Sequence, residues 1–147
     1  MLTEESLDIV GFARRRVALR LEELRRQVEV TLGGREQKAV HDLRVAIRRF
    51  SEALKVFRSL LPETEAKKVR KKLRKIMDAA AEVRDRDIAL QFCKKAGLSE
   101  KGKLWRRLAR DRAKAEKRLA RRIRKLHDAG WLEQWRERLD LGRASGS

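Results

Sequence analysis

Residues 40–61, VHDLRVAIRRFSEALKVFRSLL, contain the apolar pattern that decides the fold of this chain. Apolar side chains recur there at alternating spacings of three and four residues, at Val40, Leu43, Ile47, Phe50, Leu54, Phe57 and Leu61. Side chains at this spacing lie along one side of an α-helix and pack against neighbouring helices. The segment therefore predicts an amphipathic helix, the second of the chain, with a buried apolar seam.

Similar helix-forming segments lie on both sides of this one, separated by glycines and by the single proline. A first helix is predicted over about residues 4 to 32. A third helix opens with Pro62 and ends before Gly97, and a fourth begins after Ser99 as its N-cap and ends before Gly130. The seam of the fourth helix is predicted at Leu104, Leu108, Ala115, Leu119, Ile123 and Leu126.

Four long helices with short connections predict an all-α fold, specifically an antiparallel up-down four-helix bundle. A short fifth helix is predicted to lay Trp131, Trp135 and Leu139 over one end of the bundle. We expect residues 1–141 to form a single helical domain and residues 142–147 to form a disordered tail.

The charge of the chain points to an anionic partner. It has 40 Lys and Arg residues against 22 Asp and Glu, a net charge of +18 and a pI of about 11.1. Residues 64–130 alone hold 24 basic and nine acidic side chains. Because the acids can neutralise at most 22 of the 40 cations, the remainder favour a polyanion as partner.

Several classes of protein are excluded by composition. The single cysteine, Cys93, cannot form an internal disulfide or a thiolate metal site. No apolar segment approaches a membrane span, and the acidic start does not resemble a signal peptide, so we expect a cytoplasmic protein. The chain contains no nucleophile elbow, P-loop, dinucleotide fingerprint or metal-binding pair of carboxylates. We therefore predict no enzymatic activity, no catalytic residue, no metal and no cofactor.

Two basic stripes accompany the apolar seams of the second and third helices, one position beyond the seam residues. The stripe of the second helix is His41, Arg44, Arg48 and Lys55, and that of the third is Lys67, Arg70, Arg74 and Arg84. One position on a helix is about 100° of rotation, so the stripes border the core. In antiparallel neighbours they turn either towards each other or directly apart, and the pattern alone leaves both arrangements open.

Each of these residues also has a purely structural interpretation. A single arginine at a core margin more often extends to solvent and pairs with a neighbouring acid than binds a ligand. A lone histidine such as His41 is more often packed and hydrogen-bonded than a ligand or a base. The excess of cations over acids argues against this interpretation for the set as a whole.

The segment VRDRDI at residues 83–88 places an acid in the core pattern. Asp87 lies where the seam of the third helix predicts an apolar residue. A carboxylate there is costly unless it is paired, so we predict an ion pair with an arginine of another helix. Catalysis by Asp85 and Asp87 is disfavoured, because side chains two residues apart on a helix do not face each other.

The segment VHDLRVAIRRF at residues 40–50, the apolar helix that ends near Pro62 and the VRDRDI segment together resemble the CHAD family, the conserved histidine α-helical domains. The resemblance extends over about residues 5 to 96, and over the fourth helix only in general character. It implies an all-α domain that binds inorganic polyphosphate through a basic surface. The residues that match the two family motifs are His41, Arg44, Arg48 and Arg49 in the first and Arg84, Asp85 and Asp87 in the second.

Members of that family usually have two related four-helix halves, whereas this chain contains one. A homodimer that rebuilds the second half is therefore a hypothesis. The resemblance also makes polyphosphate granules a candidate location.

The expected function is non-enzymatic binding of inorganic polyphosphate through an arginine-rich groove. The alternative is a nucleic acid or ribosome-associated binding module, which the net charge alone supports equally well. Aromatic residues make up only 5% of the chain and tyrosine is absent, which favours polyphosphate, because single-stranded nucleic acids are usually bound by stacking. Nucleic acid is then expected to be a weaker electrostatic competitor. A third hypothesis, an enzyme of phosphate metabolism with His41 as phosphoacceptor, has the least support.

Overall fold

The computed structural model describes residues 4–128 and 130–142 and contains five α-helices within them. They are α1 (Glu4–Gly33), α2 (Gln37–Val56), α3 (Glu63–Lys95), α4 (Lys103–Leu126) and α5 (Trp131–Arg138), with a short 3-10 helix at Arg58–Leu60. No β-strand occurs in this part of the chain, so the all-α prediction is confirmed. The predicted disordered tail lies outside the described residues apart from Gly142.

Each long helix packs against the next one along the chain, and α1 also contacts α4. The four helices therefore enclose one apolar core. Ion pairs give the direction of α3 relative to α4, because Asp87 pairs with Arg112 and Glu82 pairs with Arg118. The residue number rises along α4 as it falls along α3, so these two helices are antiparallel, as an up-down bundle requires.

The apolar seam of α2 is buried as predicted, although the helix is shorter than the pattern suggests. Val40, Leu43, Ile47, Phe50 and Leu54 are all buried. The helix ends at Val56, so the last two seam residues lie in the connection to α3. Leu61 is buried there in an extended conformation, with φ −125° and ψ 157°. The cause is Pro62, because a residue before proline is disfavoured in the helical region.

The C-terminus of α3 is closed by Gly97, as predicted. Gly97 has φ 75°, a left-handed conformation that costs glycine little. The backbone N–H of Gly97 donates to the carbonyl of Lys94, and the N–H of Leu98 donates to the carbonyl of Cys93, both at 3.0 Å. These two bonds satisfy carbonyl groups that the end of the helix leaves without partners.

The predicted start of α4 is wrong. The helix begins at Lys103, after Gly102, and Ser99 instead caps a separate turn, in which its Oγ accepts a hydrogen bond from the N–H of Lys101 at 3.1 Å. Leu104, a predicted seam residue, is 53% exposed. Leu108 is only half-buried, so the buried seam of α4 begins at Ala115.

Unequal helix lengths explain this exposure. The helix α3 has 33 residues and α2 has 20. Asp87 is level with Arg35 in the α1–α2 connection, because Arg112 bonds both, so α3 continues for about 12 Å beyond that connection. Side chains on this projection have no helix of the α1–α2 hairpin to pack against. The exposed apolar residues of this region are Ile88, Phe92, Leu98 and Leu104.

The helix α5 covers one end of the bundle, as predicted. The indole of Trp135 stacks on the ring of Phe50, with centroids 6.1 Å apart and an interplanar angle of 9°. Trp131 meets Trp135 edge to face at 5.1 Å, and Leu139 is fully buried. Aromatic pairs in these geometries add to the stability that burial supplies, so α5 is anchored to α2 through its tryptophans.

Arg112 joins three parts of the bundle. Its guanidinium donates hydrogen bonds to Asp87 Oδ1, to Glu116 Oε2 and to the backbone carbonyl of Arg35, each at 2.8 Å. Arg35 in turn donates to Glu116 Oε1 at 3.2 Å and to the carbonyl of Thr31 at 2.8 Å. The network links α3 and α4 to the α1–α2 connection. It also supplies the arginine of another helix that the position of Asp87, 8% exposed, requires.

Removing Arg112 is expected to destabilise the bundle strongly. The substitution Arg112→Met leaves the buried carboxylate of Asp87 without its partner, which costs about 3–5 kcal/mol. The control is Arg118→Met, which removes the exposed pair with Glu82 and is expected to cost less than about 1 kcal/mol. Urea unfolding followed by circular dichroism measures both. Equal losses in the two variants would contradict the structural role of Arg112.

Leucines of α4 provide a test of where its seam begins. Leu119→Ala removes a fully buried side chain and is expected to lower the free energy of unfolding by about 2–5 kcal/mol. The same substitution at Leu104 is expected to cost less than about 0.5 kcal/mol, because that side chain is largely in solvent. The same urea titration compares the two, and a loss at Leu104 as large as at Leu119 would contradict this description of α4.

Candidate anion-binding face

The basic stripe of α2 lies on the side of the seam away from α1. The side towards α1 is marked by Asp42, Ala46 and Arg49, which line a groove together with the α1 residues Glu23 and Arg26. The stripe residues lie across the seam from these positions on the helix. The two helices that pack against α2 are α1 and α3. Because the stripe lies away from α1, it turns towards α3.

The stripe of α3 has the corresponding orientation. Its side towards α4 is marked by Glu82, which bonds Arg118, and by Lys72 and Lys75, which border a cavity shared with α4. The stripe lies on the opposite side of the seam, towards α2. The two stripes therefore turn towards the same junction, which resolves the two arrangements that the pattern left open. The α2–α3 face comprises His41, Arg44, Arg48, Lys55, Lys67, Arg70, Arg74 and Arg84.

Burial differs among these side chains. Arg44, Arg70 and Arg84 are half-buried, whereas the other members of the α2–α3 face are exposed. The Nε atoms of Arg44 and Arg70 are buried and have no hydrogen-bond partner among the described residues. A buried donor without an acceptor is unfavourable. Both atoms are covered by protein, so a bound anion could contact these guanidiniums only through their terminal nitrogens.

The cations of the α2–α3 face form few ion pairs. Lys67 pairs with Glu63 at 3.4 Å, and no other member pairs with a carboxylate in residues 4–128 and 130–142. Elsewhere in the bundle the cations that do form pairs are Arg14, Arg20, Arg25, Arg35, Lys68, Arg112, Arg118 and Arg136. The described carboxylates that form pairs lie on α1, α3, α4 and at Asp140, and apart from Glu63 none of them pairs with a cation of the α2–α3 face.

Three predicted site residues lie differently from the expectation. His41 is exposed, so the packed interpretation is wrong for it. The reason is that three residues are 300° of rotation, which puts His41 about 60° further from the core than Arg44. Arg49 lies in the groove with α1, so it is separated from Arg48. Arg84 lies far along α3, level with the start of α2 rather than with Arg44.

The two aspartates of the second motif have different surroundings. Asp87 belongs to the Arg112 network, whereas Asp85 is exposed and forms no ion pair within the described part of the chain. Arg112, Glu116 and Arg35, which complete this network, were not predicted from the sequence. The position of Asp87 in the seam of α3 indicated that this carboxylate has a cationic partner. The sequence pattern did not indicate which arginine that partner is.

A clear pKa shift occurs on α1, away from this face. A hydrogen bond from Arg25 lowers the pKa of Glu22, and the bonds to Glu22 and Glu29 raise the pKa of Arg25. Both side chains are partly exposed, so the shifts reflect a surface network rather than a reactive centre.

Among the described residues, no group of three or more His, Cys, Asp or Glu side chains is placed to hold a metal ion. None of the helices in residues 4–128 and 130–142 is long and apolar enough to cross a membrane.

Comparison with known proteins gives one match. The family model of the CHAD domain matches residues 15–147, and no curated protein and no solved structure matches the chain. The match extends over α4 and α5, where the motifs had given only a general resemblance. Because the matched residues make up nearly the whole chain, this protein is a member of the CHAD family.

Proposed function

We propose that the chain binds inorganic polyphosphate non-covalently, along the α2–α3 face. CHAD domains are associated in general with polyphosphate binding. Inorganic polyphosphate is a flexible chain with at least one negative charge per repeat and no bases. A binder of such a chain needs a row of cations that lack partners of their own.

The observation that carries the proposal is the row of cations without carboxylate partners on this face. From Arg44 to Lys55 the row follows α2 for about 16 Å, and Arg70 and Arg74 border it from α3. Arg44 and Arg70 are half-buried at the junction of the two helices. A partly shielded cation attracts an anion more strongly than one fully in water.

The distribution of aromatic residues favours polyphosphate over nucleic acid. Phe50 and two tryptophans pack in the core and on α5, and Phe12 contacts Phe57 edge to face at 6.1 Å. The remaining aromatics, Phe92 and Trp105, belong to the α3–α4 projection. No Phe, Tyr or Trp of the described chain belongs to the α2–α3 face, so bases would find none of these larger rings there to stack on.

The proposal treats the chain as a binding protein without enzymatic activity. His41 then acts as a further donor to phosphate at the edge of the face, rather than as a phosphoacceptor. A homodimer is part of the same proposal, because a two-fold axis beside this face would join two rows of cations into a longer one.

Charge reversal on α2 tests the position of the site. The variant Arg44→Glu with Arg48→Glu is expected to weaken binding of long-chain polyphosphate by about a hundredfold or more at fixed salt, because two attractive contacts become repulsive. The matched control is Lys117→Glu with Arg121→Glu. These residues have the same spacing, are exposed, and lie on the outward side of α4. Isothermal titration calorimetry measures the dissociation constants.

The control variant changes the net charge by the same amount. It is expected to weaken binding by less than about fivefold, because exposed charges at a distance are screened by salt. If both double variants lost affinity equally, a diffuse cloud of positive charge rather than the α2–α3 face would be responsible.

Competition separates polyphosphate from nucleic acid. With labelled duplex DNA bound at fixed salt, polyphosphate at an equal concentration of phosphate is expected to displace it, and the reverse displacement is expected to fail. Fluorescence anisotropy follows the label. Both affinities should fall steeply with salt, by analogy with counterion release from DNA. If DNA or RNA displaces polyphosphate instead, the alternative function, a nucleic acid binding module, is favoured.

A further inference from the structure

The α3–α4 tip, residues 88–111, is the part of this hairpin that lies beyond the Asp87–Arg112 ion pair. It extends past the α1–α2 connection, so the α1–α2 hairpin does not cover it. Nine large apolar side chains of the described chain are exposed, and four of them belong to the tip: Ile88, Phe92, Leu98 and Leu104. Exposed apolar side chains concentrated in one place mark a surface for interaction with another molecule.

Three of these apolar side chains lie around the very end of the tip. Phe92 is on the last turn of α3, Leu98 is in the connection and Leu104 is on the first turn of α4. Phe92 and Leu104 are within about 6 Å of the connection, measured along the helix axes. Because the three residues belong to successive elements of a convex end, a broad flat surface can contact all of them, whereas a single partner helix would cover one side.

The charge of the tip favours an anionic surface. Its basic residues outnumber its acidic ones by seven to two. The described ion pairs of α3 and α4 lie at or before Asp87 and at or after Arg112, so no described carboxylate pairs with these seven cations. All of them are exposed, and they are Lys94, Lys95, Lys101, Lys103, Arg106, Arg107 and Arg110. A second copy of the tip is disfavoured as the partner, because two such ends repel each other.

The arginines of the tip are set back from its apolar end. Arg106, Arg107 and Arg110 lie about 6–12 Å along α4 from Gly102. Apolar side chains of peripheral proteins enter a bilayer about 5–10 Å deep, at the boundary of headgroups and acyl chains. The guanidiniums are then level with the lipid phosphates, which they can bind through two hydrogen bonds at once. Trp105, half-buried beside an open pocket that these arginines line, is a residue type enriched at this boundary.

The backbone of the connection is suited to a medium poor in water. Five N–H groups between α3 and α4 donate to acceptors within the tip at 3.0–3.1 Å, those of Ala96, Gly97, Leu98, Lys101 and Gly102. An unpaired N–H group would be costly to remove from water. Because these groups are already paired, entry of the connection among lipid headgroups carries little of that cost.

We propose that the α3–α4 tip docks on the surface of an anionic lipid bilayer. Phe92, Leu98 and Leu104 enter the boundary of the acyl chains, and the cations of the tip bind lipid phosphates. The lysines at the same depth can extend their ammonium groups back to the headgroups. The bundle remains outside the bilayer, and the contact is separate from the polyphosphate proposal, because the tip shares no residue with the α2–α3 face.

Apolar substitutions that leave the net charge unchanged test the contact. Phe92→Gln with Leu104→Gln is expected to weaken binding to vesicles of phosphatidylcholine and phosphatidylglycerol at least about tenfold. The matched control is Val56→Gln with Ile9→Gln. The substituted side chains are 72% and 53% exposed in the first pair and 72% and 51% exposed in the second, and the control pair lies at the other end of the bundle. The control should stay within about twofold. Cosedimentation at fixed salt measures binding.

The charge of the lipid and of the tip is tested in the same assay. Vesicles of phosphatidylcholine alone are expected to bind at least about tenfold more weakly than the mixed vesicles. Arg106→Gln with Arg107→Gln should weaken binding to the mixed vesicles about tenfold or more. Lys117→Gln with Arg121→Gln removes the same charge from exposed positions further along α4. It should change binding less than about twofold, because those charges are more than a screening length from the lipid.

Fluorescence quenching by lipids with brominated acyl chains identifies the end of the bundle that enters the bilayer. Trp105 is expected to be quenched, whereas Trp131 and Trp135 are not, because they follow the other end of α4, about 36 Å away. The variant Trp105→Phe should therefore bind the vesicles and show no quenching.

Three results would overturn the proposal. The first is an equal loss of vesicle binding in the Phe92 and Leu104 variant and in its control, since total charge would then be responsible. The second is equal binding to vesicles with and without phosphatidylglycerol. The third is unchanged vesicle binding in the tip variant together with lost binding of a soluble acidic amphipathic peptide, which would assign the tip to a protein partner. Polyphosphate binding should be unchanged in the tip variant, so failure of either proposal can be recognised separately.

Discussion

Burial of a narrow apolar stripe in a chain of net charge +18 is the constraint on which this structure depends. Each helix must turn its seam inward while its cations stay in contact with water or with an acid. On α2 and α3 the residues just beyond the seam are basic, so burial of the seam necessarily carries Arg44 and Arg70 to the junction of the two helices. The position of the basic face therefore follows from the same side chains that fold the bundle. A substitution that rotated either helix would move the face with the core.

The local parts of this arrangement could be predicted from the sequence. The buried seams of α2 and α3 follow from a spacing that is repeated over several turns, and the end of α3 follows from a glycine that tolerates positive φ. The start of α4 could not be predicted. Leu104 continues the periodic pattern. It is nevertheless exposed, because α3 and α4 extend beyond the α1–α2 hairpin. The relative lengths of the helices are a property of the whole bundle. They cannot be predicted from the apolar periodicity of one helix.

The same distinction applies to the charged residues. The need of Asp87 for a cation was evident from its place in the seam, but the identity of Arg112 depends on the antiparallel register of α3 and α4. With 26 arginines in the chain, no local rule selects one. Arg49 illustrates the reverse case. It belongs to the motif that resembles the family, and rotation along α2 nevertheless places it beside α1 and away from the α2–α3 face. A motif in sequence is thus not the same set of residues as a face in space.

The helix α3 is central to the distribution of positive charge on this protein. One of its edges borders α2 and the other borders α4, and both carry cations that no described carboxylate neutralises. Charge alone cannot assign different ligands to two such edges, because long-range attraction responds to the sum of the charges. What differs is the neighbouring surface. The edge towards α2 borders a row of further cations without aromatic side chains, whereas the edge towards α4 ends on two tryptophans that anchor α5. Towards α2, an extended anion would therefore meet cations of two helices, whereas towards α4 the packing of α5 against α3 shortens the exposed row.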